Sequence, residues 1–208
     1  TLSDSEEDML TMWLADGLAT KVCEETHSKD GTIKLLLELQ DGKKVETVAM
    51  PVGACCVSSQ VGCAVGCKFC ASGLFGVERH LTTDEIVEQV VHARRLMRID
   101  RVVFMGMGEP SHNLDNVLAA VKRIKDEVLI SPRRQTLSTI GSRSLRPALS
   151  LGNALTPEPV RSENAILPGS KSVVLRLSCK PLANRTVRMP RSSIVSSETT
   201  VPGAPQSE

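Results

Sequence analysis

Between Cys55 and Gly141 the chain switches repeatedly between two hydrophobic periods, and this alternation narrows the fold more than any other feature. Cys55 to Val61 has the apolar character of a short buried strand. Leu81-Thr82-Thr83-Asp84-Glu85 is a helix start, with a Thr cap and acidic residues in the first turn. Ile86, Val87, Val90, Val91, Arg94 and Met97 carry an amphipathic helix on to about Arg98. Arg101 to Met105 is a buried strand, Asn113 to Lys125 a second helix with Leu114, Val117, Leu118, Val121 and Ile124 on one face, and Gln135 to Thr139 a third strand. Strand, helix, strand, helix, strand is the rhythm of a parallel α/β sheet or barrel, whose sites gather at the carboxyl ends of the strands.

Three polar signals fall at those ends. The first is C-A-V-G-C-K-F-C, with Cys63, Cys67 and Cys70 at a C-x3-C-x2-C spacing. A compact loop of this kind can turn three thiolates towards one centre. Three soft thiolates suit an iron–sulfur cluster, and on a four-iron cube they leave one iron open. A zinc knuckle and unrelated thiols are the alternatives on spacing alone; structural zinc usually takes four ligands, and no second C-x-x-C is present. The second signal is Gly106-Met107-Gly108-Glu109-Pro110, and the third Ser138-Thr139. An acid flanked by glycine after a buried strand has few structural reasons to be there. Ser138 and Thr139 could simply end a strand.

Upstream, Met9 to Cys23 has weak helical spacing, broken at Gly17. Lys29-Asp30-Gly31 reads as a turn, and Thr32–Gln40 with Lys44–Met50 flank Asp41-Gly42 as a β-hairpin. On that hairpin Glu46 reads as a solvated acid, and Cys56, beside Cys55, as a small buried hydrophobe. His80, His92 and His112 read as surface or loop residues with no ligand role. Downstream of Gly141 the character changes: residues 142–208 hold twelve Ser and eight of the eleven Pro, with one short strand candidate at Ser172–Leu177. Such sequence cannot bury enough surface to offset its chain entropy, and reads as disordered.

The net charge of +1 hides nine basic against four acidic residues in that tail, so residues 1–141 are mildly acidic. A general basic footprint for nucleic acid is missing from them. No apolar run approaches the roughly 20 residues that span a bilayer. Seven cysteines without a secretory signal point to a reducing compartment.

With C-V-S-S-Q-V-G-C at 56–63, V-E-T-V at 45–48, M-G-M-G-E-P at 105–110 and R-R-Q-T-L-S-T-I-G at 133–141, the chain resembles a known family. It is similar to the radical S-adenosylmethionine (SAM) methyltransferases of the RlmN/Cfr family, which methylate C2 of an adenosine in large-subunit ribosomal RNA and in transfer RNA. The resemblance implies an α/β fold: a partial radical-SAM (βα) barrel over 52–141, preceded at 1–51 by a remnant of an accessory region with the β-hairpin, and followed at 142–208 by a largely irregular tail. It implies that Cys63, Cys67 and Cys70 hold a 4Fe-4S cluster and that Gly108, Glu109 and Ser138 contact SAM. It makes Glu46 the proton acceptor, and Cys56 the cysteine that transiently pairs with a methyl-carrying cysteine. It implies ribosomal and transfer RNA as substrates, presented unpaired. An electron donor such as flavodoxin or ferredoxin would be a partner, and the location cytoplasmic, or organellar in a eukaryote.

The departures from the family pattern are large. The accessory domain is reduced to some thirty residues before Gly31, the later barrel strands are not recognisable, and no methyl-carrying cysteine can be assigned. L-S-C-K-P-L-A-N-R-T-V-R-M-P at 177–190 is a faint echo of a further SAM segment, with Ser178 as its contact and Lys180 where His is expected. The chain therefore reads as truncated or divergent after Gly141. Half a barrel would leave sheet edges and apolar faces uncovered, at a cost in stability. The competing reading is a non-catalytic iron–sulfur or zinc-binding fragment.

Overall fold

A computed structural model describes residues 17–68 and 70–140, the backbone of 173–176, and Asp8, Thr11 and Trp13. Among the described residues, the elements that can be bounded are nine strands and two α-helices, in the order β1 (Lys21–His27), β2 (Ile33–Glu38), β3 (Lys44–Met50), β4 (Ala54–Cys56), β5 (Gln60–Gly62), β6 (Val77–His80), α1 (Thr83–Arg94), β7 (Arg101–Phe104), α2 (Leu114–Glu127), β8 (Gln135–Thr139) and β9 (Val173–Arg176). Seven of the strands form one sheet in the order β1-β2-β3-β4-β7-β8-β9, and β5 and β6 pair separately. The expected parallel α/β core is there: β4 pairs parallel with β7, and β7 with β8, through α1 and α2 as crossovers.

The expected hairpin forms as β2 and β3, antiparallel and in register from Ile33↔Ala49 to Glu38↔Lys44. Its turn is set by Gly42 at φ +77, a left-handed backbone that a side chain would strain. β3 then pairs antiparallel with β4, so the hairpin continues the sheet of the parallel strands. Across this sheet the residues of one face are buried: Ile33, Leu35 and Leu37, then Val45 and Ala49, then Cys55, Val102, Phe104 and Leu137. Both helices lie there. The Thr47 hydroxyl donates to Gln89 Oε1 of α1 (2.7 Å), and Gln135 Nε2 to Val121 O of α2 (3.1 Å). α1 begins with a capping box, Glu85 N–H donating to Thr82 Oγ1 (3.2 Å) and Thr82 N–H to the Glu85 carboxylate (2.9 Å). On the opposite face Leu36, Glu46, Val48, Cys56, Val103, Thr136 and Ser138 are only half-buried.

Three expectations need correction. The helical spacing read to Cys23 stops short, because residues 21–27 are strand β1, antiparallel to β2. Alternation on a nearly exposed edge strand leaves little apolar signal, and the spacing upstream was read through it. The single strand read over Cys55–Val61 is two. After β4, Ser59 N–H and Gln60 N–H both donate to Met107 O, which draws the chain out of the sheet before β5 begins. His92, read as a surface residue, is buried: its Nε2 lies 3.0 Å from Thr20 Oγ1, and burial pushes its pKa down. The strand candidate at Ser172–Leu177 is β9, which runs antiparallel along the free edge of β8. The rest of the sequence read as an irregular tail, with Ser178, Cys179 and Lys180, lies outside the described residues.

Candidate functional site

The carboxyl ends of β4, β7 and β8 open on one rim, and each expected signal stands there. Beyond β4, Gly62 at φ +77 turns the chain from β5 into the cysteine loop. A Cβ at Gly62 would lie 2.1 Å from Gly76 O, so the two ends of the loop close on each other only with glycine here. The closure is a backbone bond, Cys63 N–H to Gly76 O (2.9 Å). Inside the loop Cys70 N–H donates to Cys67 O and Gly73 N–H to Cys70 O. Cys63 is buried, Cys67 and Cys70 are half-buried, and all three thiols are free. Burial pushes the Cys63 thiol up, helped by the nearby Cys70, Glu109 and Cys67 and opposed by the Val65 N–H. The thiolate loop and Glu109 therefore sit within electrostatic reach of each other.

Beyond β7, the loop Gly106–Ser111 is built on polar side chains that the sequence reading passed over. Gly106 N–H donates to Val57 O (3.0 Å), and Met107 N–H to Ser58 Oγ (2.9 Å), whose own hydroxyl donates to Glu46 O (2.6 Å). The missing side chains of Gly106 and Gly108 are used by the protein itself. A Cβ at Gly106 would fall 2.7 Å from Ser58 Oγ, and one at Gly108, where φ is +96, 2.6 Å from Gln60 Cβ. Glu109 N–H donates to Gln60 Oε1 (2.7 Å). The Glu109 carboxylate, 5% exposed, accepts from Ser111 N–H (3.0 Å), Ser111 Oγ (2.7 Å), Ile140 N–H (3.1 Å) and the Thr139 hydroxyl. Beyond β8 it is thus Thr139 that ties the strand to Glu109, while Ser138 points to the half-buried face. Ser58, Gln60 and Thr139 had one signal in the sequence: polar residues at the ends of otherwise buried strands.

Glu46, Cys56 and Ser138 share that half-buried face. Glu46 is half-exposed and paired with Lys34 (2.9 Å). Burial raises the Cys56 thiol, partly offset by the Met105 N–H. Cys56 and Glu46 stand in neighbouring rows of the sheet, opposite Val48 and Leu36.

Among the described residues no three His, Cys, Asp or Glu side chains are gathered as a bound metal ion requires. The donor set fits an iron–sulfur cluster in kind: three thiols outside any disulfide, on one short loop that the Cys63 N–H to Gly76 O bond closes. Among the described residues no helix is long and apolar enough to cross a membrane.

Comparison with known proteins agrees with this geometry. Residues 57–154 match the family model of the radical SAM superfamily. The chain is 41% identical over 185 residues to a probable RNA methyltransferase of Stutzerimonas stutzeri, covering 80% of this chain and 54% of the relative. It is 44% identical over 167 residues to one of Bordetella avium, covering 76% of this chain and 46% of that protein. Among solved structures it is similar to a radical SAM methyltransferase from Sphaerobacter thermophilus, at 39% identity and a TM-score of 0.58, over 68% of this chain and 45% of that one. The chain spans about half the length of the relatives it matches.

Proposed function

We propose that the chain, whose residues 57–154 match the radical SAM superfamily model, is the cluster-binding part of an RNA methyltransferase. Cys63, Cys67 and Cys70 would hold a 4Fe-4S cluster, and SAM would lie against the Gly108-Glu109 loop and Ser138. The observation that carries this is the seating of the Glu109 backbone on Gln60 (2.7 Å), three residues before Cys63, which puts the acid and the cysteine loop at one rim. When bound, the cluster offers an open iron to chelate SAM and one electron to cleave it. Such radical chemistry suits adenine C2, which is neither acidic nor nucleophilic at neutral pH.

The chain's own residues would then do three things. Four donors hold the Glu109 carboxylate still, so that a cationic ligand meets a fixed charge and not a mobile one. Cys56 keeps its proton on the half-buried face, and releases a thiolate for pairing with a methyl-carrying cysteine only when a base takes that proton. Glu46, on the same face, would be the base of the reaction, its place set by Lys34. The substrates would be adenosines of 23S-type ribosomal RNA and transfer RNA, and the reductant a flavodoxin or ferredoxin. The methyl-carrying cysteine has no assigned position among the described residues.

Mass spectrometry of unmodified RNA incubated anaerobically with reconstituted chain, reductant and methyl-deuterated SAM tests the whole reading. Deuterium in 2-methyladenosine is the expected product for a competent protein. Zinc bound to the same three thiols, with neither cluster absorbance nor SAM turnover, would instead establish the non-catalytic metal-binding reading.

A further inference from the structure

We propose that Gln60 is a positioning residue that fixes the distance between the thiolate loop and the Glu109 loop, and that His80 fixes the way its amide is turned. This rests on the reading above, that the Glu109 loop meets SAM. Gln60 has no exposed surface, so both ends of its amide must find partners within the protein. The Glu109 backbone N–H can only donate; the atom 2.7 Å from it is therefore the amide oxygen. The amide nitrogen is then the group 2.8 Å from His80 Nδ1. An NH2 group also only donates, so His80 Nδ1 carries no proton and the ring is the Nε2–H tautomer. The Arg79 guanidinium, held by Asp41 and Glu85, reaches the carbonyl of His80 and leaves the ring nitrogen to Gln60.

Gln60 also pairs with His80 in the β5–β6 ladder, and two further contacts bind it to the Glu109 loop. Its backbone N–H donates to Met107 O (3.2 Å). Its Cβ and Cγ occupy the space where a Gly108 side chain would stand, 2.6 and 2.7 Å from the position of that absent Cβ. Met107 O, the bare α-carbon of Gly108 and Glu109 N–H are thus all seated on one residue, three positions before Cys63. Shortening Gln60 leaves a buried N–H without an acceptor and frees the Glu109 loop to shift, while the three thiols stay as they are. The signature is a loss of SAM affinity without a loss of cluster.

The test uses the chain with 15N-labelled histidine, and the same chain reconstituted anaerobically. In the wild type the His80 Nδ1 resonance is expected to be that of an unprotonated, acceptor nitrogen. In Gln60→Glu a carboxylate still accepts from Glu109 N–H but can no longer donate, so the tautomer switches to Nδ1–H. SAM affinity, read from the shift of the reduced-cluster EPR signal, falls about tenfold in Gln60→Ala and stays within about threefold of wild type in Gln60→Glu. Iron and sulfide per chain match wild type in both. A protonated Nδ1 in the wild type overturns the proposal, as does unchanged affinity in Gln60→Ala. Should Gln60→Ala not fold, a large loss of affinity in Gln60→Glu overturns it equally. If the wild type takes up a cluster but does not bind SAM, the functional reading fails, not the seating of the loop on Gln60, which the tautomer decides.

Discussion

The two loops on the rim are held in opposite ways. The loop Gly106–Ser111 is fastened by three side chains: Ser58 from the link between β4 and β5, Gln60 from β5, and Thr139 of β8 onto its acid. The cysteine loop is fastened by backbone turns, and Leu74 and Phe75 just beyond it are 73% and 93% exposed. An acid held by four protein donors, three on Oε1 and one on Oε2, has its place before any ligand arrives. Three thiols on a loop held only by backbone turns would take their final place from the ligand they bind, so that the binding energy would also be ordering energy. One half of the site is held by its own side chains, and the other would be completed by the cluster proposed above.

Substitutions should separate the two halves. The largest effect is expected at Cys67: Cys67→Ala abolishes the cluster, measured as iron and sulfide per chain, yet moves the urea unfolding of the metal-free chain by no more than about 0.5 kcal/mol. Glu109→Ala should do the reverse in the metal-free chain. It leaves the donors of Ser111, Thr139 and Ile140 without their acceptor, and the same urea titration should show a loss of about 3 kcal/mol. If that variant were as stable as the parent, the acidic loop would not be preorganised. Gly108→Ala strikes the same loop through the backbone, at a positive φ and against Gln60; a loss of about 2 kcal/mol is expected.

The smallest effect lies away from both loops. Burial lowers the pKa of His92 from its ordinary 6.5, so below that pH the unfolded chain binds the proton first. Stability is then full above pH 6.5 and falls with pH towards the lower folded value, by at most about 1.4 kcal/mol per pH unit for this one group. Urea midpoints between pH 7.5 and 5.5 should show that slope, and His92→Gln should flatten it without touching the cluster.

How much of this could be read from the sequence depended on whether a residue answers to a period or to a partner. The β2–β3 hairpin, both helices and the three parallel strands were legible because Leu35, Val90 or Val121 must recur at 2.0 or 3.6 residues to reach a core. The three cysteines and Glu109 were legible because thiols at that spacing, and an acid between glycine and proline, have few other uses. Ser58 and Gln60 were not assigned, and Thr139 only as part of the Ser138-Thr139 signal, since a polar residue at the end of a buried strand does not say which partner it meets 49, 49 and 30 residues away. β1 failed for a related reason: an edge strand with most of its side chains in water has no periodicity to read.

The central claim is that Cys63, Cys67 and Cys70 hold a cluster within reach of a ligand seated at Glu109. Anaerobic reconstitution with iron and sulfide, followed by low-temperature EPR of the reduced chain with and without SAM, tests it most directly. The account predicts a 4Fe-4S signal that shifts on adding SAM and is absent from Cys67→Ala. A wild-type chain that takes up no cluster, or a cluster whose signal ignores SAM, would contradict it.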